Sequence, residues 1–255
     1  MRRVLFVALG LSIVLVLPRG GQAQDTDSKT IIDEAIKAIG GLEKVKKLEK
    51  GAIIAKAKGN VEAMGAKIDF TLDAYNQPPH KSKVVINVMF MGMTIEVIRV
   101  IDGDKGWQSA MGMVMDVEKE AIDEHRAMEH VESVTNLYVL TTDKAIKLSP
   151  LGESKVGDTP VVGIQVSKKD KRDVNLYFDK KTHLLLKAEY RAVEQFSKME
   201  VAQEKIYSDY KELVPGIKMA SKQLINNDGK RYMELEMTEI TPVERHDDSL
   251  FKKPD

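Results

Sequence analysis

The chain has 255 residues, with 39 Lys+Arg against 39 Asp+Glu, no cysteine and 13 methionines, and its 43% apolar and 31% charged content is that of a packed globular protein rather than a disordered one. The lack of cysteine excludes disulfides, thiol catalysis, cysteinyl zinc sites and iron–sulfur clusters together. Balanced charge, with no basic stripe and no interleaved aromatics, excludes nucleic acid as a partner.

Met1-Arg2-Arg3 makes a basic start, 4–17 is an almost unbroken apolar run, and 18–23 ends in Gly21-Gln22-Ala23. This is the layout of a secretory signal with small residues at both cleavage positions, so 1–23 reads as a signal peptide and Gln24 as the mature N-terminus. The run is short for a membrane span, and an uncleaved N-terminal anchor is the alternative. Removing Arg2, Arg3 and Arg19 leaves 36 basic and 39 acidic residues, a formal charge of −3. No linker interrupts the rest, and 24–255 reads as a single domain.

In residues 28–50, Ile31, Ile32, Ala35, Ile36 and Ile39 recur at helical spacing until Gly40-Gly41 stops the segment, and a short second helix is predicted from Leu42. From residue 52 to 115 the pattern alternates: Ile68, Phe70 and Leu72, then Val84, Ile86 and Val88, then Ile95, Val97, Arg99 and Ile101. Asn76-Gln77-Pro78-Pro79 and Asp102-Gly103-Asp104-Lys105-Gly106 supply turns between these runs, which read as antiparallel hairpins. Residues 116–147 return to steps of three and four, with acids crowding the first turns where a helix dipole favours anions. Six further strands are predicted at 161–166, 174–178, 184–190, 201–210, 219–226 and 231–240, with 246–255 as a tail. The fold class is therefore mainly β (α+β): one large curved antiparallel sheet of ten or eleven strands, its inner face covered by the helical regions 28–50 and 116–147.

The placement of methionine is unusual. Met89, Met91 and Met93 alternate on one strand and Met111, Met113 and Met115 on another. A hairpin folded about Gly103-Asp104 would set Met93 opposite Met115 and Ile95 opposite Met113, with all six thioethers on one face and Trp107 at its mouth. Three readings of such a patch are open: ordinary core, a deformable apolar surface that repacks around a ligand, and soft ligands for cuprous ion. The last lacks a histidine partner between residues 81 and 124. The apolar-cavity reading selects Met89, Met91, Met93, Ile95, Val97, Trp107, Met111, Met113, Met115 and Met128.

Nothing points to catalysis or a metal. His125 and His130 fall about 140° apart on a helix and do not converge on one ion. No Gly-x-Ser-x-Gly, His-Glu-x-x-His or phosphate loop occurs, and the carboxylate pairs Asp102/Asp104 and Asp247/Asp248 lie in a turn and a tail.

Several segments, in this order, carry a resemblance: Asp102-Gly103-Asp104-Lys105-Gly106-Trp107, the stretches 151–158 and 174–187, Tyr207-Ser208-Asp209-Tyr210, Pro215-Gly216-Ile217-Lys218-Met219, and the ending Asp247-Asp248-Ser249-Leu250-Phe251-Lys252-Lys253-Pro254. Together they resemble outer-membrane lipoprotein-sorting proteins, the LolA/LolB-like half-barrel superfamily. The resemblance implies a half-barrel wrapped around helices whose concave apolar side holds the acyl chain of a lipid or lipoprotein. It also implies no cofactor and no enzymatic activity. The signal peptide places the carrier in the periplasm, where it is expected to be a monomer with envelope membrane proteins as further partners. It does not single out the family's functional arginine among Arg99, Arg126, Arg172 and Arg191. A non-catalytic envelope scaffold with the same fold and a filled core is the alternative.

Overall fold

The computed structural model describes residues 22–63, 65–90, 92–194 and 197–254, with side chains from residue 28. The predicted signal segment lies outside them, apart from the helical backbone of Gln22 and Ala23. Helices α1 (Gln22–Ile39) and α2 (Leu42–Lys50) come first. Strands β1 (Ala52–Ala63), β2 (Ala66–Gln77), β3 (Lys81–Phe90), β4 (Met93–Asp102), β5 (Lys105–Ala110) and β6 (Met113–Asp116) follow. Then come α3 (Lys119–Thr135), the short α4 (Val139–Thr142), and β7 (Lys147–Val156), β8 (Thr159–Ser167), β9 (Val174–Asp179) and β10 (Leu185–Val193). Strands β11 (Glu200–Val214), β12 (Ile217–Asn227) and β13 (Lys230–Val243) complete the sheet, and a 3-10 turn at Asp248–Phe251 closes the chain.

All the strands form one antiparallel, unclosed sheet in the order β6-β5-β4-β3-β2-β1-β13-β12-β11-β10-β9-β8-β7. It has 13 strands, not ten or eleven. One strand beyond the expected set is β7, whose Pro150 and Gly152 argue against a strand in sequence; at the sheet edge both are tolerated, with a register shift between them.

The sheet curves around its helices. Helix α1 touches both β7 and β12, five strand steps apart, or about 24 Å on a flat sheet and more than a helix diameter. Helix α3, about 25 Å long, reaches β5 as well as β10 and β9, eight and nine steps away from β5. Both helices therefore lie in the concave side of a half-barrel.

The main core lies between these helices and the β7–β12 half. Ile32, Ala35 and Ile36 of α1 and Val131 and Val134 of α3 pack with Ile164, Val166, Val174, Leu176, Phe178 and Ala188 of the sheet. Helix α1 stops where predicted: the Gly41 N–H donates to Ile36 O at 2.8 Å, and Gly40 and Gly41 have φ +129° and +92°. Gly40 also has no room for a side chain, since a Cβ would sit 2.2 Å from the Gly216 carbonyl oxygen.

The C-terminal residues are not a tail. His246 and Phe251 are buried, and residues 246–251 close over the side of β2–β5 away from the helices, where Phe251 packs with Val100 and Trp107. Asp247 accepts a hydrogen bond from Ser249 N at 2.8 Å, capping the 3-10 turn.

Candidate functional site

Cross-strand pairs point to the same side of a sheet, so the register assigns every residue of β1–β6 to a face. The helix side is marked by Ser82, whose hydroxyl lies 3.1 Å from His125 Nε2 on α3, and by Ile101, packed with Val117 and Ile122. Pairing along β3, β4 and β5 then places Val84, Ile86, Val88 and Phe90, Met93, Ile95, Val97 and Arg99, and Gln108 and Ala110 on that side. Phe70, Leu72 and Ile68 of β2 follow, as do Met113 and Met115 of β6. Phe70 is buried over Gly59 of β1, where a Cβ would lie 3.0 Å from Phe70 Cζ and 2.1 Å from Glu234 O. Leu72, Ile86, Val88, Ile95 and Val97 are half-exposed, and Phe90, Met93, Met113 and Met115 are exposed. Helix α3 reaches this surface at its inner end, at Ser82 and Ile101, and Leu48 of α2 packs on the cluster that takes in Leu72 and Val84. What remains is an apolar trough about 20 Å long from Met93 to Arg99.

The predicted site residues divide. Met93, Ile95, Val97, Met113 and Met115 share the trough face. Met89 pairs with Thr94 and faces the other way. Trp107 also points outward: it pairs with Val100, is buried, and donates from Nε1 to Phe251 O at 3.1 Å. Met111 occupies a turn, Met128 packs on the main core from α3, and Met91 lies outside the described residues.

The expected register, with Met93 opposite Met115 and Ile95 opposite Met113, is wrong for two physical reasons. The hairpin closes as a two-residue turn on Asp102↔Lys105, which moves the register by one and turns Trp107 outward. Strand β5 then ends at Ala110, because Met111 (φ +51°) and Gly112 (φ +79°) form a tight turn that sends β6 back along β5. Met93 and Met113 therefore sit about 16 Å apart across the sheet, and the six-thioether patch behind the cuprous reading does not form.

Two polar side chains, Arg99 and Gln108, share the trough face beyond the predicted cavity residues. Arg99 donates from Nη2 to Gln108 Oε1 at 3.1 Å, and burial lowers the pKa of its guanidinium. Arg126 pairs with Asp104 at 2.7 Å, Arg191 with Glu200 at 3.3 Å, and Arg172 with Glu124. Alternation alone places Arg99 two residues beyond Val97, which was the available signal. The Phe70, Leu72, Val88 and Phe90 contribution was missed because those runs were read only as hairpins.

Helix α3 is pinned across the half-barrel by charge. Both Glu124 oxygens accept from Arg172, and Oε1 also accepts from Val193 N at 3.1 Å. Burial works to raise the Glu124 pKa, but these donors more than offset it and hold the carboxyl below its ordinary range. On the next turn Glu129 lies 2.9 Å from His80 Nδ1 and 3.5 Å from His125 Nε2. There too the histidine contacts outweigh burial and lower the carboxyl pKa.

No family profile matches the sequence, and no curated protein matches it. Solved structures do match. A LolA superfamily protein from Nitrosomonas europaea superposes with a TM-score of 0.54 at 10% identity, over 89% of this chain and 97% of that one. The chain has the LolA-like fold. A DUF1329 family protein from Desulfovibrio piger gives a TM-score of 0.53 at 12% identity, over 88% and 97% of the two chains. A putative outer membrane lipoprotein-sorting protein domain from Vibrio parahaemolyticus gives 0.50 at 12% identity, over 89% and 97%. Among the described residues no helix is long and apolar enough to cross a membrane.

Proposed function

We propose that the trough on the helix side of β1–β6 binds the acyl chain of a lipid or lipoprotein, and that the protein is an exported, periplasmic, non-catalytic carrier or sensor of such chains. The observation that carries this reading is the block of half-exposed and exposed apolar side chains on the helix side of β2–β6. Each methylene withdrawn from water there contributes about 0.8 kcal/mol, so a chain lying along Ile95, Val97, Val88 and Leu72 gains affinity without a charged anchor. Arg99 and Gln108, at the inner end, are the groups positioned to meet an ester or carboxylate oxygen. The LolA-like fold supports the same reading, since one solved protein that shares it is named for outer-membrane lipoprotein sorting. The exposure of Met93, Met113 and Met115 favours an open trough over a scaffold with a filled core.

The test is native mass spectrometry of the purified chain together with displacement of a fluorescent fatty acid. Co-purified lipid and displacement are expected, with affinity falling about tenfold or more in Ile95→Glu/Val97→Glu as an apolar wall becomes charged. Wild-type protein that carries no lipid and leaves the probe bound overturns the proposal.

A further inference from the structure

The trough does not account for all of the exposed apolar surface. Hairpins β1–β2, β3–β4 and β5–β6 all turn at the same end of the sheet, closing on Ala63↔Ala66, Phe90↔Met93 and Ala110↔Met113. In sequence each link is the same dipeptide: Met64-Gly65, Met91-Gly92 and Met111-Gly112. Met64 and Met91 lie outside the described residues. Met111, at a turn, is 71% exposed. Met89 and Val114 point to the face opposite the trough and are 51% and 40% exposed, while Met93 and Met113 point to the trough face. The ends of the last two hairpins therefore carry exposed apolar side chains on both faces, beside the neutral Thr94 and Ser109 and, across from Met89 on β2, Asp69.

Charge is absent from the same places. Residues 88–95 and 106–115 contain no charged side chain, in a protein of which 31% is charged. The first charges along the strands are Glu96 and Asp116, each three residues from its turn, or about 10 Å. A protein partner offers one complementary face. An edge with exposed apolar side chains on both faces fits a medium that surrounds it, and its uncharged depth along the strands matches the roughly 5–10 Å by which interfacial elements enter a bilayer.

We propose that this rim docks the protein on a lipid bilayer by shallow insertion of the Phe90/Met93 end of β3–β4 and the Met111–Met113 end of β5–β6. The inserted segments are neutral, so docking requires no anionic headgroup and resists salt. The proposal goes beyond the acyl-chain reading and has its own readout.

The experiment is co-sedimentation of the full chain with phosphatidylcholine vesicles at low and at 0.5 M salt, where the Debye length falls to about 4 Å. Wild-type binding that persists at high salt and falls about tenfold or more in Met111→Asp/Phe90→Glu is expected. Both residues are exposed, so the fold should survive, which circular dichroism checks. Ile95→Glu/Val97→Glu should lose fatty-acid displacement yet keep vesicle binding, which separates the two readings. Three results overturn docking: no vesicle binding by the wild type, binding unchanged in the tip variant, or a dimer in sedimentation velocity that the tip variant dissolves while vesicles go unbound.

Discussion

Strands β8–β10 and β2–β4 carry the same alternation of apolar and polar residues, but their helix-side residues end in different environments. Ile164, Val166, Val174 and Leu176 are fully buried, whereas Leu72, Ile86, Val88 and Ile95 are half-exposed. Helices α1 and α3 lie on the first group, and α3 reaches the β2–β4 half at its inner end, at Ser82 and Ile101. Alternation thus makes a sheet with an apolar side, and what lies over that side decides whether it becomes core or a binding surface. In this protein one continuous sheet supplies both, so the stable half can hold the open half in shape without filling it.

The contrast predicts unequal costs for similar truncations. Ile164→Ala should destabilise by about 2–5 kcal/mol in denaturant titration, as for a core cavity, while Ile95→Ala should cost under about 1 kcal/mol because its site is already partly wet. Equal costs would mean that the β2–β4 half is packed as tightly as the other, and the trough would not exist.

A smaller effect is expected where α3 is fastened between the halves. Arg172→Met leaves Glu124 half-buried without its cation and should cost about 1–3 kcal/mol at neutral pH. The sign with pH follows from the lowered folded-state pKa of Glu124. Its stabilisation is fully present above the unfolded value, near 4.5, and is lost as pH falls through the lower folded value. Thermal melts from pH 7 down to below 4 should therefore show the variant converging on the wild type in acid. A gap that stays constant with pH would place the effect in lost packing instead.

The smallest change concerns the outer face. Trp107→Phe removes the hydrogen bond to Phe251 O and should cost about 1 kcal/mol, while fatty-acid displacement stays at the wild-type level. Weakened displacement would bring Trp107 back to the ligand side and contradict the observed register.

Much of this architecture could be read from the residues in order. Period-two runs marked the strands, period-three-and-four runs marked α1 and α3, and Gly40-Gly41 marked the end of α1, because these signals depend only on neighbours in the chain. The six strands predicted after residue 160 all occur. Strand β7 was missed because Pro150 and Gly152 are unfavourable everywhere except at an edge, and edge position is a property of the whole sheet. The site was legible only in part. Ile95 and Val97 follow from alternation with the core residue Ile101, but Met89 and Trp107 were assigned to the wrong side.

Local sequence determined that this chain forms strands with one apolar side, and which residues within a strand share a side. Tertiary structure alone decided which side faces the helices, since a one-residue difference in closing the Asp102↔Lys105 hairpin reverses every side chain beyond it. It alone also decided how far the helices reach, because that depends on the curvature of thirteen paired strands and not on any short stretch of sequence.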